Sequence, residues 1–447
     1  MRLTRPALLA LLVTAALATT ADRAEAQYTW SGAGDGQSWL DELNWEANFT
    51  GWGNSGNATQ SGTLAIFGTG ATEVQLSGPV YAYGITIDNS ESSWSFSGSC
   101  PLTLGVGGIT VSGDTTSIGS PIILAASQTW NIGSGGTLAL YGGLTEAGGV
   151  RSLIKSGAGT LTLSGTSSYT GTTTVSGGEL HLADRVSLYE GNPTNWTATN
   201  ITVSSGGTLT LSVGGENQFT ASDVASIASL ASNSTGFHDG AFLGLSVDGD
   251  PFTYSNTITD TSNGSLGLVK LGGNTLILTG TNTFTGTTKV LGGTLQLGND
   301  TLTGSVAGNI ENNSTLVFSP ATGTPLAYGG NITGSGLIRK EGAGILTLSG
   351  SVTTGEGFSQ EGGIVYVNGS VSGSSYDHLS GVLRGSGTIS TTLTVANGAT
   401  VRPGTGAASN NLTLESDITF VGGSTLAIDV ADTSNSQLVI AGGTLDL

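Results

Sequence analysis

The sequence predicts an all-β protein built from short strands that stack as a β-solenoid. Three observations predict this fold: 74 of the 447 residues are glycine, only 10% are charged, and leucine or valine alternates with threonine or serine over short stretches. Such alternation gives a strand one apolar and one hydroxylated face, and glycine marks the tight turns between strands. Because disordered chains are rich in charge and poor in β-branched residues, this composition indicates a packed fold.

Internal repetition is the most specific of the sequence signals. "LIKSGAGTLTLSGTSSYTGTTTVSGGELHL" over 153–182 aligns without gaps with "LVKLGGNTLILTGTNTFTGTTKVLGGTLQL" over 268–297. A third copy over 337–367 keeps the glycines but loses the central aromatic residue. We read each copy as three short strands separated by glycine corners, forming one coil. A lone coil cannot bury its apolar edge, so coils must stack around a continuous core. At about 22 residues per coil, roughly 19 coils are expected.

The N-terminus, residues 1–26, is predicted to be a secretory signal peptide. A positively charged start precedes the apolar run 7–18, and Ala24 and Ala26 frame a cleavage site. A transmembrane anchor, the alternative, needs about 20 apolar residues, and this run is shorter. The protein is therefore expected to be exported, with no membrane-spanning segment in this chain after the signal is removed.

Two further segments depart from the repeat pattern. Residues 27–69 are predicted to cap the solenoid of 70–447, because an uncovered sheet edge invites association. Residues 216–262 are predicted to leave the rod as an insertion. Within the insertion, Val224, Ile227 and Leu230 recur at helical spacing and predict one short helix. Its candidate N-caps are Thr220 and Ser222. The predicted cap carries four of the seven tryptophans: Trp30, Trp39, Trp45 and Trp52.

Charge and cysteine content exclude several classes of partner and site. The formal net charge is −19, from 12 basic and 31 acidic residues, and the basic residues do not cluster. Binding to nucleic acid requires clustered Lys and Arg that neutralise phosphates, so nucleic acid is excluded as a partner. Cys100 is the only cysteine, and one thiol makes neither an internal disulfide nor a cysteine-based zinc site.

Catalytic sites were sought because some β-helical proteins cleave polysaccharides. The best group of polar residues is His238, Asp239, Asp248 and Asp250, within the insertion. Asp-Gly pairs are common in tight turns, and we favour that reading over a catalytic one. The sequence contains no G-x-S-x-G elbow that would present a nucleophilic serine. We therefore predict no catalytic, cofactor or metal-binding residues, and no enzymatic activity.

Isolated residues receive similar interpretations. His181 is expected on the surface, and His378 is likewise a single histidine without a partner motif. "GAGDG" around Asp35 faintly resembles calcium-binding glycine-aspartate repeats, but one copy is a weak signal. The lysines lack any phosphate-loop context, and we expect their amines to reach solvent from the coil entrances: Lys155, Lys270 and Lys340. The tryptophans can stack on sugars or be buried in the cap, and we favour burial.

The spacing of the repeat closely resembles the autotransporter-associated β-strand repeat. The opening "YTWSGAGDGQSWLDELNWEANFTGWG" is also similar to the start of large secreted proteins with such repeats. The resemblance implies a right-handed parallel β-helix, exported and often displayed on Gram-negative surfaces. Autotransporters end in a membrane barrel, whereas this chain stops within another "GGTLDL" unit. Either the chain is expected to be a fragment, or export through a barrel of its own does not apply to it. The motif residues in the first copy are Gly157, Gly159, Leu161, Leu163, Gly165, Tyr169, Gly171, Val175, Gly177, Gly178, Leu180 and Leu182.

We therefore predict a non-enzymatic passenger rod, secreted or displayed at the cell surface, with a structural or adhesive role. Its repeats would support secretion and folding outside the cell. Expected partners are cell-surface or extracellular polysaccharides, or other surface proteins. The alternatives are a carbohydrate-active β-helix enzyme and a carbohydrate-binding surface protein.

Overall fold

The part of the chain that the structure describes forms a β-solenoid of about 16 turns with a single short α-helix. It is represented by a computed structural model that describes residues 26–46, 63–68, 73–88, 93–113, 115–232, 235–262, 264–404, 410–429 and 436–447. Strands that pair within this part of the chain are parallel, which confirms the predicted fold class. The expectation of roughly 19 coils was too high because the cap and the longer excursions use residues without adding turns.

Four ladders of parallel strands run along the rod. The first ladder contains β1 (Ala26–Thr29), β2 (Thr63–Phe67), β4 (Val80–Ile87), β6 (Leu102–Val111), β8 (Ile122–Leu124), β9 (Gln128–Ile132), β11 (Leu144–Glu146), β12 (Leu153–Ser156), β14 (Thr173–Val175) and β16 (Ile201–Val203). The second ladder contains β3 (Glu73–Gln75), β5 (Trp94–Ser97), β7 (Thr115–Ile118), β10 (Thr137–Leu140), β13 (Thr160–Leu163), β15 (Glu179–Leu182), β17 (Thr208–Val213), β18 (Ala241–Val247), β20 (Leu266–Leu271), β22 (Thr288–Val290), β24 (Ile310–Asn312), β27 (Ile332–Thr333), β30 (Ser351–Thr354), β33 (Ser370–Gly373), β36 (Thr388–Ile389), β39 (Asn411–Leu414) and β42 (Gln437–Ile440).

The other two ladders lie in the C-terminal half of the chain. The third contains β19 (Phe252–Tyr254), β21 (Thr275–Leu278), β23 (Thr294–Leu297), β25 (Thr315–Phe318), β28 (Leu337–Lys340), β31 (Phe358–Gln360), β34 (Tyr376–His378), β37 (Leu393–Val395), β40 (Ile418–Phe420) and β43 (Leu445–Asp446). The fourth contains β26 (Leu326–Tyr328), β29 (Ile345–Leu348), β32 (Ile364–Val367), β35 (Val382–Gly385), β38 (Thr400–Val401) and β41 (Thr425–Leu426).

The first and second repeats contain four strands and the third contains five, rather than the three expected. In the first copy, β12 pairs with β14 and β13 pairs with β15, so the repeat stacks two rungs of the solenoid on each other. Leu161 faces Leu180, and Leu163 faces Leu182. All four leucines are buried in the core. The reading of one coil per repeat was wrong because "TTTV" continues the ladder begun by "LIKS" instead of adding a new side to the same coil.

Successive copies start on different ladders of the rod. The opening strand is β12 in the first ladder, β20 in the second and β28 in the third. The shift arises because the last strand of the first copy, β15, pairs with β17, which pairs with β18, which pairs with β20. The second copy therefore begins on the ladder where the first copy ends. Equivalent leucines nevertheless enter one continuous hydrophobic core. The repeats therefore share a spine, while their outward side chains face different sides.

Glycine meets two separate requirements in the repeat. Gly157 has a positive φ of 76°, a backbone conformation that side chains with a Cβ rarely adopt. Gly171 has an ordinary φ, but a Cβ there would collide with the Arg151 carbonyl of the preceding turn. The spaced glycines therefore allow sharp corners in some places and close stacking of backbones in others.

The predicted helix is confirmed as α1 (Ala221–Ala228). Thr220 is its N-cap and forms a capping box with Asp223, which satisfies backbone donors of the first turn. Val224 and Ile227 are buried and belong to the solenoid core. The later part of the segment 216–262, which was expected to leave the rod, forms β18 and β19. Both strands pair within the ladders. Short 3₁₀ turns lie at Glu42–Asn44, Arg185–Ser187, Tyr189–Gly191, Pro193–Asn195 and Ser229–Ser232.

Candidate functional site

The polar group predicted within the insertion is divided by a strand. His238 and Asp239 precede β18, whereas Asp248 and Asp250 follow it. Seven residues of β-strand span about 20 Å, so the two pairs cannot act on one substrate group. The four residues lie on the surface. The structure therefore does not bring this group together.

The aspartates of that group serve turns. Asp239 Oδ1 accepts hydrogen bonds from Ser265 N at 2.8 Å and Ser265 Oγ at 3.0 Å. These bonds lower the pKa of the Asp239 carboxyl. Asp248 accepts from Ser246 Oγ at 2.8 Å and from Gly273 N at 3.2 Å. Each carboxylate therefore connects its own turn to the next rung by hydrogen bonds, Asp239 through Ser265 and Asp248 through Gly273.

Asp35 also has a local role. Its Oδ1 accepts hydrogen bonds from Gln37 N at 2.9 Å, Ser38 N at 2.8 Å and Asn44 Nδ2 at 2.7 Å. The backbone hydrogen bond from Gln37 is the largest cause of the lowered pKa of Asp35. The glycine-aspartate segment is an Asx-type turn stabilised by its own amides.

The two strand histidines occupy different environments. His181 points outward from β15, and its Nε2 lies 2.8 Å from Ser212 Oγ. His378 is fully buried, and its Nε2 lies 3.0 Å from the Thr400 carbonyl oxygen. Within the described part of the chain, His378 Nδ1 has no hydrogen-bond partner. Burial lowers the pKa of both imidazoles, and the protonated ring is the disfavoured form.

The N-terminal tryptophans lie inside the rod. Trp39 and Trp45 are 0% and 1% exposed, and Trp30 is 7% exposed. Their rings pack edge-on or tilted around Phe67 at centroid distances of 5.2 to 5.7 Å. Trp52 lies outside the described residues. Stacking of a sugar on Trp39 or Trp45 would require opening the core, so these two residues are not a binding platform.

The lysines of the repeats differ most from expectation. Lys155, Lys270 and Lys340 were expected to reach solvent, but they are at most 1% exposed. Lys155 Nζ donates to the carbonyls of Ser156 at 2.9 Å, Gly157 at 3.0 Å and Gly177 at 3.1 Å. An ammonium group has three donors and no acceptor, so three carbonyls satisfy it completely.

The same arrangement recurs in the other two copies, and we call it the lysine corner. Lys270 Nζ donates to the carbonyls of Leu271, Gly272 and Gly292. Lys340 Nζ donates to the equivalent three residues: Glu341, Gly342 and Gly362. In each copy the third acceptor lies 22 residues after the lysine. The ammonium therefore ties the two rungs of a repeat together at their glycine corners.

Burial sets the electrostatics of the lysine corner. Desolvation lowers the pKa of each lysine to about 8, and nearby carboxylates oppose the shift. The amines thus stay protonated at neutral pH despite being inside the rod. The burial is consistent with strand alternation, because Lys155 lies two residues after the buried Leu153 and shares its face.

A second group of cations lies on the outer face of the fourth ladder. Tyr366 and Arg384 are directly opposite each other on β32 and β35. Arg402 follows β38, and its backbone N donates to the Leu383 carbonyl at 2.8 Å. Arg402 therefore stands on the rung next to Arg384. We call these three residues the arginine stripe, and the sequence analysis did not anticipate it because its members are 18 residues apart.

A known repeat family matches stretches that contain all three corner lysines. The family described as Passenger-associated-transport-repeat matches residues 153–182, 268–297 and 338–358. These three stretches of the chain are similar to that family. The resemblance to autotransporter passengers inferred from the sequence is thereby confirmed. The third match begins at Ile338, which is buried as Leu153 and Leu268 are in the other copies.

One curated relative extends the comparison beyond the repeats. A protein of Brucella suis biovar 1 (strain 1330), named Adhesin BmaC autotransporter, is 37% identical over 165 residues. The alignment covers 35% of this chain and 4% of that protein. This chain therefore corresponds to a small part of the relative's length. No solved structure matches the chain.

Among the described residues, no group of three or more His, Cys, Asp or Glu is placed to hold a metal ion. Over the same ranges, no helix is both long and apolar enough to cross a membrane.

Proposed function

We propose that the protein is an adhesive passenger rod, exported and displayed on the surface of a Gram-negative bacterium without enzymatic activity of its own. The repeats and the adhesin relative support a surface role. The stacked parallel ladders supply a stiff support, since every rung pairs with the rungs on either side. Adhesion would then reside in outward side chains along the rod.

The repeats are proposed to promote folding once the chain is outside the cell. The lysine corner carries this proposal, because each copy closes its own two-rung unit. Paired strands within a copy are only 19 or 20 residues apart, as Thr160 faces Glu179 and Leu153 faces Thr173. Short loops cost little entropy to close, and local contacts speed folding. A repeat can therefore start the solenoid before the rest of the chain arrives.

Surface display and adhesion test the first proposal. The gene with a terminal epitope is expressed in its host, and intact cells are probed by immunofluorescence and by added protease. We expect surface labelling, protease sensitivity and a loss of adhesion when the gene is deleted. Full adhesion by the deletion strain, or reproducible cleavage of polysaccharides by the purified chain, would contradict it.

The folding role requires a separate measurement. A variant with Lys155→Met, Lys270→Met and Lys340→Met should reach the surface in lower amounts at equal transcript level. Lys289→Met, at an outward position of β22, is the matched control and should be displayed normally. Equal display of the triple variant and the wild type would remove the repeats' role in folding.

A further inference from the structure

The arginine stripe contains a cation whose donors are largely unused. Arg384 has five N–H donors. Its Nη1 lies 3.4 Å from Tyr366 Oη and its Nη2 lies 3.4 Å from Asp429 Oδ2, both long contacts. Its Nε is buried and has no hydrogen-bond partner among the residues that the structure describes. The Arg384 side chain is only 12% exposed, so water contributes little.

Asp429 does not neutralise this group because it belongs mainly to Arg402. Arg402 Nε contacts both carboxylate oxygens of Asp429, at 2.9 and 3.0 Å, and Arg402 Nη2 contacts Oδ1 at 2.6 Å. Two guanidinium groups therefore share one carboxylate. The stripe retains one positive charge in a chain whose net charge is −19.

Other arginines with ion pairs are matched by acids. Arg339 lies 3.0 Å from Glu341 and 2.7 Å from Glu361. Arg185 lies 2.9 Å from Asp223. The stripe is thus distinguished from these surface ion pairs by its surplus of cations, and a surplus of planar guanidinium donors is suited to a bound oxyanion.

The surface around Arg384 consists of an apolar column of side chains beside a polar column. Outward residues of the same strands make a half-buried apolar column: Ile345, Ile364 and Val382. The neighbouring column carries Thr347, Tyr366 and Arg384. Rungs recur every 4.8 Å or so, close to the length of one sugar unit in an extended β-linked glycan. Sugar rings have apolar C–H faces and polar edges. The faces suit contact with the apolar column, and the edges suit contact with the polar column.

We propose that the arginine stripe binds the carboxylate of an acidic sugar in an extended glycan, with Arg384 as its main donor. This inference names a ligand class for the adhesive function proposed above and rests on it. A dense polyanion would be repelled by the acidic rod at distances within the Debye length of about 8 Å. The preferred glycan therefore has acidic sugars separated by neutral ones.

Equilibrium binding of the purified full chain to three polysaccharides tests the inference. Gellan has isolated acidic sugars, every sugar of alginate is acidic, and dextran is neutral. We expect gellan to bind most tightly. Arg384→Gln should weaken gellan binding by about tenfold or more, because hydrogen bonds to charged groups are the strong ones. Arg384→Lys should also weaken it, since lysine lacks the planar fork.

Matched variants separate binding from folding. Arg151→Gln removes a surface arginine elsewhere and should leave the gellan Kd unchanged. Asp429→Asn removes the competing carboxylate and should tighten binding. Circular dichroism and thermal unfolding of each variant report whether the rod is intact. Equal gellan binding by wild type and a folded Arg384→Gln variant, or no gellan binding by wild type, would overturn the inference.

The two proposals fail in different ways. Adhesion by wild-type cells that persists in Arg384→Gln cells would reject the stripe as the binding site and leave the adhesive rod in place. Gellan binding by the purified chain, combined with full adhesion of the deletion strain, would reject the adhesive function and leave the site.

Discussion

Lys155 in the first lysine corner and Arg384 in the arginine stripe are both shielded cations, but their donors are used differently. Lys155 is 1% exposed, and its ammonium meets three backbone carbonyls at 2.9 to 3.1 Å. The Arg384 side chain is 12% exposed, its two hydrogen-bond contacts are both 3.4 Å long, and its guanidinium carbon lies 5.4 Å from the centroid of the Tyr366 ring. One cation is saturated by the fold, and the other has donors without a partner among the described residues.

The difference shows how one chain separates stability from recognition. A buried cation is tolerated only when hydrogen bonds replace its lost hydration, and the glycine corners supply those bonds for lysine. A guanidinium with unused donors contributes less to folding and can bind an oxyanion of a ligand. His378 is intermediate in how fully its polar atoms are bonded. One imidazole nitrogen contacts a carbonyl, and the other has no partner among the described residues.

The largest effect is expected at the lysine corner. Lys155→Met preserves the length of the side chain but replaces the ammonium with an apolar end. The three corner carbonyls then have no donor. Because unsatisfied buried polar groups are costly, we expect local stability to fall by about 3 kcal/mol. Hydrogen exchange of peptides within 153–182 measures this local opening.

Lys155→Gln is the informative companion variant. Gln360 in the third copy places Nε2 3.1 Å from the Val382 carbonyl, 22 residues later, which is the separation of each corner lysine from its third acceptor. The Gln variant should therefore lose less stability than the Met variant. Unchanged exchange in Lys155→Met would show that the carbonyl contacts do not hold the two rungs together.

An intermediate, pH-dependent effect is expected at His378. Burial lowers the pKa of its imidazole below 6.5, and the Thr400 carbonyl opposes that shift. The neighbouring Gln360 and Tyr376 side chains are uncharged and add no compensating carboxylate. Because the unfolded chain binds the proton more readily, stability should fall as the pH decreases through 6.5.

Hydrogen exchange of peptides within 370–400, compared at about pH 7 and about pH 5, measures the His378 effect. His378→Gln removes the titrating group and should reduce the loss of protection at the lower pH. The same pH dependence in the variant and the wild type would assign the effect to other groups.

The smallest effect on stability is expected at the arginine stripe. Arg384→Met should lower thermal stability by about 1 kcal/mol at most, because it removes only two long hydrogen-bond contacts from a largely buried side chain. The measurement is the midpoint of thermal unfolding beside that of Lys155→Met. If Arg384→Met destabilised the rod as much as Lys155→Met, the distinction between a structural and a recognition cation would be lost.

Sequence patterns were sufficient for much of the fold. Alternation at Leu161 and Leu163, with glycine on either side, predicted strands that stack on a dry core, and the ladders confirm it. The helix over 221–228 followed from its spacing and its N-cap. These features depend on residues close together in the chain, where periodicity carries the information.

The sites were predicted less well. The lysine corner had a visible signal, since Lys155 shares the inward face of β12 with Leu153, but lysine is rarely buried and was expected to reach solvent. The stripe had no local signal, because Tyr366, Arg384 and Arg402 come from three successive turns. Their proximity depends on the length of each turn.

By itself the sequence determined a parallel β-solenoid with glycine corners and an apolar spine, because strand period and turn chemistry are local properties. Only the tertiary structure decided that each repeat spans two rungs, that its lysine is enclosed by three carbonyls, and that two arginines share Asp429. Those arrangements join residues 18 to 45 positions apart, and such distances close only when coils stack in register.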